Sequence, residues 1–138
     1  MTVKPPAPTE YSEQCALMQW AELESKKFPV LSLLFASQNG LRLPIGLAVK
    51  AKKAGMRKGV PDLFLPVARG KYHGLFVELK RIRSYKVSDE QGEWIERLWG
   101  EGYHAVVCCG WKEASECIVR YLKRGVCSEQ YYESIARH

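Results

Sequence analysis

Gly59-Val60-Pro61-Asp62-Leu63-Phe64-Leu65, followed by Leu75-Phe76-Val77-Glu78-Leu79-Lys80 with fifteen residues between Asp62 and Glu78, decides how this chain folds. Each segment is a short apolar run that reads as a strand, Asp62 to Val67 and Leu75 to Lys80. The link 68–74 between them is of hairpin length. Residues two apart in a strand project to the same side, so Glu78 and Lys80 point together. Asp62, at the start of the preceding strand, can reach the same spot across the hairpin. Near-continuous apolarity around Glu78 and Lys80 predicts a strand buried on both faces, which directs two charges inward. Asp62 is also the only acidic residue between Glu24 and Glu78, an interval that holds ten Lys or Arg.

Outward from this pair, Thr9 or Ser12 can cap a helix running to about Lys27, where Pro29 stops it. On it Glu13, Leu17, Trp20 and Glu24 recur at helical spacing, with Glu13 at the end of an apolar stripe. Val30 to Ala36 reads as a strand followed by the turn Gln38-Asn39-Gly40. Leu43 to Ala54 reads as a basic helix or loop-helix. After a polar loop from Arg81 to Val87, Ser88-Asp89-Glu90-Gln91 is a capping-box pattern opening a helix to about Gly100. Tyr103 to Cys109 reads as a buried strand and Trp111 to Arg124 as an amphipathic helix, with 129–138 a short helix or docking tail. The order helix, three strands, helix, strand, helix predicts an α/β fold: a mixed β-sheet flanked by helices on both faces.

With 138 residues the chain is one domain by size, and its 46% apolar and 26% charged residues are ordinary for a globular protein. Residues 1–8 are Pro-rich and expected to be disordered, leaving 9–138 as the domain. No apolar run approaches the ~20 residues that cross a bilayer. The N-terminus lacks the apolar core of a signal peptide, so a cytoplasmic location is expected. Five scattered cysteines without a C-x-x-C pair fit reduced thiols better than disulfides or a zinc site. The net charge of +6 is concentrated in the first half: residues 25–77 carry ten cations and one acid, residues 78–138 ten of each. One face meant for phosphates would account for that distribution.

The paired carboxylates give this face a chemistry. Mg²⁺ takes hard oxygen ligands, usually one or two carboxylates with water and substrate phosphate. Asp62 and Glu78 supply two, and the Leu79 backbone carbonyl is a further candidate ligand. A bound ion lowers the pKa of its water and neutralises charge building on a phosphate, and Lys80 would orient that water or stabilise the charge. The residues thus point to a metal-dependent phosphodiesterase.

At these positions the chain resembles the VRR-NUC domain, a branch of the PD-(D/E)XK nuclease superfamily. The resemblance rests on Gly59-Val60-Pro61-Asp62-Leu63, Val77-Glu78-Leu79-Lys80, Ser88-x-x-Gln91, Gly102-Tyr103 and Val106-Val107-Cys108-x-Gly110-Trp111. It runs from about Glu13 to Leu122, as in stand-alone members from phages and prophages. The resemblance implies a restriction-endonuclease-like core and hydrolysis of DNA phosphodiesters with Mg²⁺ or Mn²⁺. Stand-alone members resemble homodimeric Holliday junction resolvases, whereas versions fused in eukaryotic repair nucleases cut flaps. It also implies a catalytic Glu in the first helix, matched by Glu13 with Glu10 as fallback and acting on the metal site. Gln91 matches a catalytic Gln that opens the helix after the Glu-x-Lys strand, and Asn39 an Asn-Gly turn.

Lys50, Lys52, Lys53, Arg57 and Lys58 lie within nine residues without an acid, next to Asp62, and are the expected DNA contacts. Arg81 and Arg83, with Lys86, follow Lys80 as a second set. Tyr72 and His73 at the hairpin tip read as surface turn residues, and His104 as structural. Trp94 and Trp99, on a helical stripe, read as core or dimer interface and not as stacking platforms. Competing readings are a flap, nick or non-specific DNA nuclease and a non-cleaving DNA-binding protein. A nucleotide-binding α/β protein lacks its G-x-G-x-x-G or Walker lysine.

Overall fold

The computed structural model describes residues 7–37, 43–84 and 86–127. Its centre is a four-stranded sheet in the order β1 (Phe35–Ala36), β2 (Leu63–Leu65), β3 (Leu75–Lys80), β4 (His104–Cys109). β1–β2 and β2–β3 pair antiparallel and β3–β4 parallel, which makes the sheet mixed. The parallel pair is joined by α3 (Asp89–Gly100), the helix crossover that such a connection requires. α1 (Glu10–Glu24), α2 (Ile45–Lys53) and α4 (Trp111–Arg124) complete the α/β fold. Among the described residues no helix is long and apolar enough to cross a membrane.

Strand alternation sorts the core into two layers. Leu75, Val77 and Leu79 of β3 join Val106 and Cys108 of β4 against Leu17 and Ala21 of α1 and Ala114, Cys117, Ile118 and Tyr121 of α4. Ala105, Val107 and Phe76 face the opposite way and pack on Ile95, Leu98 and Trp99 of α3. The sheet is therefore covered on both faces, and Glu78 and Lys80 share the α3 face with Phe76. Phe64 and Phe76 stack across β2 and β3 at 4.1 Å on that face.

Two segments depart from the sequence expectation. The strand expected from Val30 to Ala36 is a 3-10 helix, Pro29–Leu33, that leads into the two-residue β1. Leu31 and Leu34 are buried while Ser32, Leu33 and Phe35 are exposed, so the buried positions recur every three residues rather than every two. Pro29 at the start has its φ fixed for that turn. β2 is three residues instead of six because Pro61 and Pro66 flank it and neither can donate to a ladder. The expected Asn39 turn and the tail 129–138 lie outside the described residues. Cys15, Cys108, Cys109, Cys117 and Cys127 are free thiols.

Candidate active site

The register Leu63 to Val77 fixes the geometry of the carboxylates. Continued by one pair, it sets Asp62 opposite Glu78, and both belong to the α3 face. Beyond Leu63 the ladder stops, so the Leu79 N–H no longer has a strand partner and donates instead to Asp62 Oδ2 at 2.8 Å. In a strand the N–H and C=O of one residue point the same way, so the Leu79 carbonyl also faces the Asp62 side. Here a backbone donor fixes one acid in front of the other.

Glu78 is 2% exposed and Lys80 7% exposed. Gln91 ties them together: its Nε2 donates to Glu78 Oε1 at 2.9 Å, and its Oε1 accepts from Lys80 Nζ at 2.9 Å. Lys80 Nζ lies 3.7 Å from Glu78 Oε1. Gln91 Oε1 also accepts from the Ser88 N–H at 3.0 Å, while Ser88 Oγ accepts from the Gln91 N–H at 3.2 Å. The capping box that starts α3 thus uses the same amide that aligns Glu78 and Lys80.

Electrostatics make the acid pair a high-energy feature. Burial, then the charge of Asp62, pushes the Glu78 carboxyl up to about 9, against the lowering effect of Lys80. Burial also raises Asp62, opposed by the Leu79 N–H. Glu10 adds a further negative charge to both. Glu78 Oε2 is buried and has no hydrogen-bond partner. Protonation, which the raised Glu78 pKa implies near neutrality, relieves the repulsion with Asp62, and a cation can take that proton's place. Among the described residues no three of His, Cys, Asp or Glu converge as a full metal-binding set. The donor set suits an ion content with two carboxylates and able to take its other ligands from backbone, water and phosphate, as Mg²⁺ does.

These groups open into a cleft of about 450 Å³ lined by Glu10, Lys52, Met56, Lys58, Gly59, Val60, Asp62, Glu78, Ser88 and Gln91. Glu13 is not among them. It is 3% exposed, and its Oε2 accepts from the Trp111 N–H at 2.6 Å, at the N-terminus of α4. Glu13, Leu17 and Ala21 form the buried stripe of α1, and that stripe aims Glu13 at α4, where a helix N-terminus attracts a carboxylate. Glu10, three residues earlier, sits off the stripe and reaches the cleft. Both are first-turn acids of one helix, so only the direction of the buried stripe could have told them apart.

Replacing Glu13 by Ala is expected to lower stability by about 2 kcal/mol, because a buried charged acceptor is lost from a helix start. Glu10→Ala should change the stability read from urea unfolding by less than about 0.5 kcal/mol. Equal midpoints for the two variants would contradict these placements.

Of the expected DNA contacts, Lys52 and Lys58 line the cleft and Arg57 lines the space beside it. Lys50 and Lys53 are exposed on α2, outside both. Arg83 is exposed, and Arg81 is engaged by the N-terminal segment, donating to Ala7 O at 2.9 Å and Pro8 O at 3.2 Å. Gly59 brings the basic segment in: its φ is +91°, and a Cβ there would lie 2.7 Å from the Glu90 backbone carbon. Only glycine allows that approach to α3. Sequence reasoning missed Met56, Val60 and Ser88 as lining residues, since none carries a charge.

No curated protein matches the chain. The solved structure of a "VRR_NUC domain protein" superposes with a TM-score of 0.72 at 33% identity, covering 90% of this chain and 99% of that one. The family model for the VRR-NUC domain matches residues 7–112, which include every residue of the carboxylate cleft. With that match over most of its length, the chain belongs to the VRR-NUC family of nucleases.

Proposed function

We propose that the protein is a Mg²⁺- or Mn²⁺-dependent structure-specific DNA endonuclease, acting as a homodimeric Holliday junction resolvase. The observation that carries the metal-dependent reading is the Asp62–Glu78 pair with its unsatisfied Glu78 oxygen. Asp62, Glu78 and the Leu79 carbonyl would hold the ion, with Glu10 near enough to add negative charge. The ion, when bound, supplies an activated water and neutralises phosphate charge. The remaining work falls to the chain's own groups. The Leu79 N–H and Gln91 amide hold the two carboxylates in place before substrate arrives. Lys80, fixed by Gln91, contributes positive charge beside the scissile phosphate. Lys52 and Lys58 at the rim neutralise flanking phosphates.

Support for a dimer comes from α2, which has no buried residue although Ile45 and Val49, four residues apart, put two exposed apolar side chains on one face. An apolar surface of that kind suits a second copy, and two-fold symmetry would place two sites on opposed strands of a branched substrate.

Labelled four-way junction, flap and linear duplex incubated with Mg²⁺ test the reading. Paired, symmetric incision of the junction is expected, with cutting lost on chelation. Preferential flap cutting by a species that sediments as a monomer would replace it with flap processing. No cutting of any DNA would remove the activity altogether.

A further inference from the structure

The carboxylate cleft has a neighbour. A second open cleft, of about 590 Å³, is lined by Lys52, Met56, Arg57 and Lys58 on one side and by Glu90, Glu93, Trp94 and Arg97 of α3 on the other. Lys52, Met56 and Lys58 belong to both clefts, so the two are continuous. α3 turns one stripe to each: Gln91 faces the carboxylates, whereas Glu90, Trp94 and Arg97, spaced by four and three residues, face the second cleft.

The two tryptophans of α3 have different roles. Trp99 packs in the α3 core layer and donates its indole N–H to Ala105 O at 2.9 Å. Trp94 is half-buried and lines the cleft wall, and four cations line the same cleft. Two acids temper that charge, and one of them, Glu90, is paired with Lys58 at 3.3 Å between exposed side chains. A large aromatic surface set among Lys and Arg is the arrangement that holds an unpaired nucleotide, by base stacking and phosphate contact together. A paired base within a duplex keeps both faces stacked and cannot use it.

Resting on the reading that the carboxylate cleft cuts DNA, we propose that the Trp94 cleft holds an unpaired nucleotide of the strand being cut. Trp94 stacks on the base, while Arg97 and Arg57 meet the flanking phosphate. Lys52 and Lys58 lead the backbone from this subsite to the scissile linkage. The preference for branched DNA then originates here, because a base at a branch point has lost a stacking neighbour and is unpaired at lower cost than one inside a duplex. Trp94 is a specificity-determining residue, outside the reacting groups.

The test compares binding of a branched DNA and a fully paired duplex of the same length, in Glu78→Gln protein so that nothing is cut. Trp94→Ala should weaken branched-DNA binding about tenfold and leave duplex binding unchanged, the scale of one lost base–aromatic stack. Trp94→Phe, which keeps a ring, should restore most of that loss. A 2-aminopurine placed as the unpaired base should be quenched by Trp94-containing protein and not by Trp94→Ala. Equal loss on both DNAs, or loss on neither, would overturn the subsite. Parent protein that binds and cuts no DNA at all would instead overturn the nuclease reading beneath it.

Discussion

Glu78→Gln is expected to reduce DNA cleavage by about a thousandfold or more while leaving DNA affinity within about threefold. The magnitude follows from losing a charged ligand whose ion is worth several kcal/mol of transition-state stabilisation, at tenfold per ~1.4 kcal/mol. Binding survives because the phosphate contacts come from Lys52, Lys58 and their neighbours at the rim. Gln occupies the same volume and its carbonyl oxygen can still accept from Gln91, so the fold is kept. Single-turnover cleavage and a binding titration on the same junction check both halves. Cutting at the parent rate would end the metal-site reading, and joint loss of cutting and binding would move Glu78 from chemistry to architecture.

The second large effect concerns pH. The folded-state pKa of Glu78 is raised from 4.5 to about 9, and Asp62 moves in the same direction. Below about 4.5 the group is protonated in both folded and unfolded chains, so stability is at its full value there and does not vary with pH through this group. Between about 4.5 and 9 the folded protein retains a proton that the unfolded chain gives up, so stability falls as pH rises through that window. Ion-free protein should therefore lose stability toward pH 9 more steeply than Glu78→Gln measured in parallel. Mg²⁺ at a fixed concentration should raise the melting temperature most at the upper end, where it competes with the fewest protons. Parallel parent and Glu78→Gln curves in chelator would refute the burial argument.

Much of the site was legible because strand periodicity is strict. Once Asp62 and Glu78 were assigned to adjacent strands, alternation and a short link left few ways for them not to face each other. Ser88 and Gln91 are legible as a cap, and in the structure the same Gln91 amide that completes the cap also bonds Glu78 and Lys80. What the sequence concealed was direction and extent. The segment 30–36 has strand-like residues, but Pro29 and the Leu31–Leu34 spacing turn it into a 3-10 helix. β2 was read through Pro66, although that proline ends it. Glu10 and Glu13 are chemically identical first-turn acids, and it is the buried stripe ending in Glu13 that sends that residue to α4, 98 residues along the chain, and leaves Glu10 to the cleft. Trp94 and Trp99 pose the same difficulty on α3: similar, half-buried residues, one packed in the core layer and the other lining a cleft.

Gln91 leaves this protein little room to drift. Its side chain begins a helix, orients an acid and restrains an ammonium group at once. A lineage that abandoned cleavage could not freely discard that residue, since the crossover between two parallel strands would start to fray. Scaffold and chemistry have a common keystone, and a substitution there is felt by both.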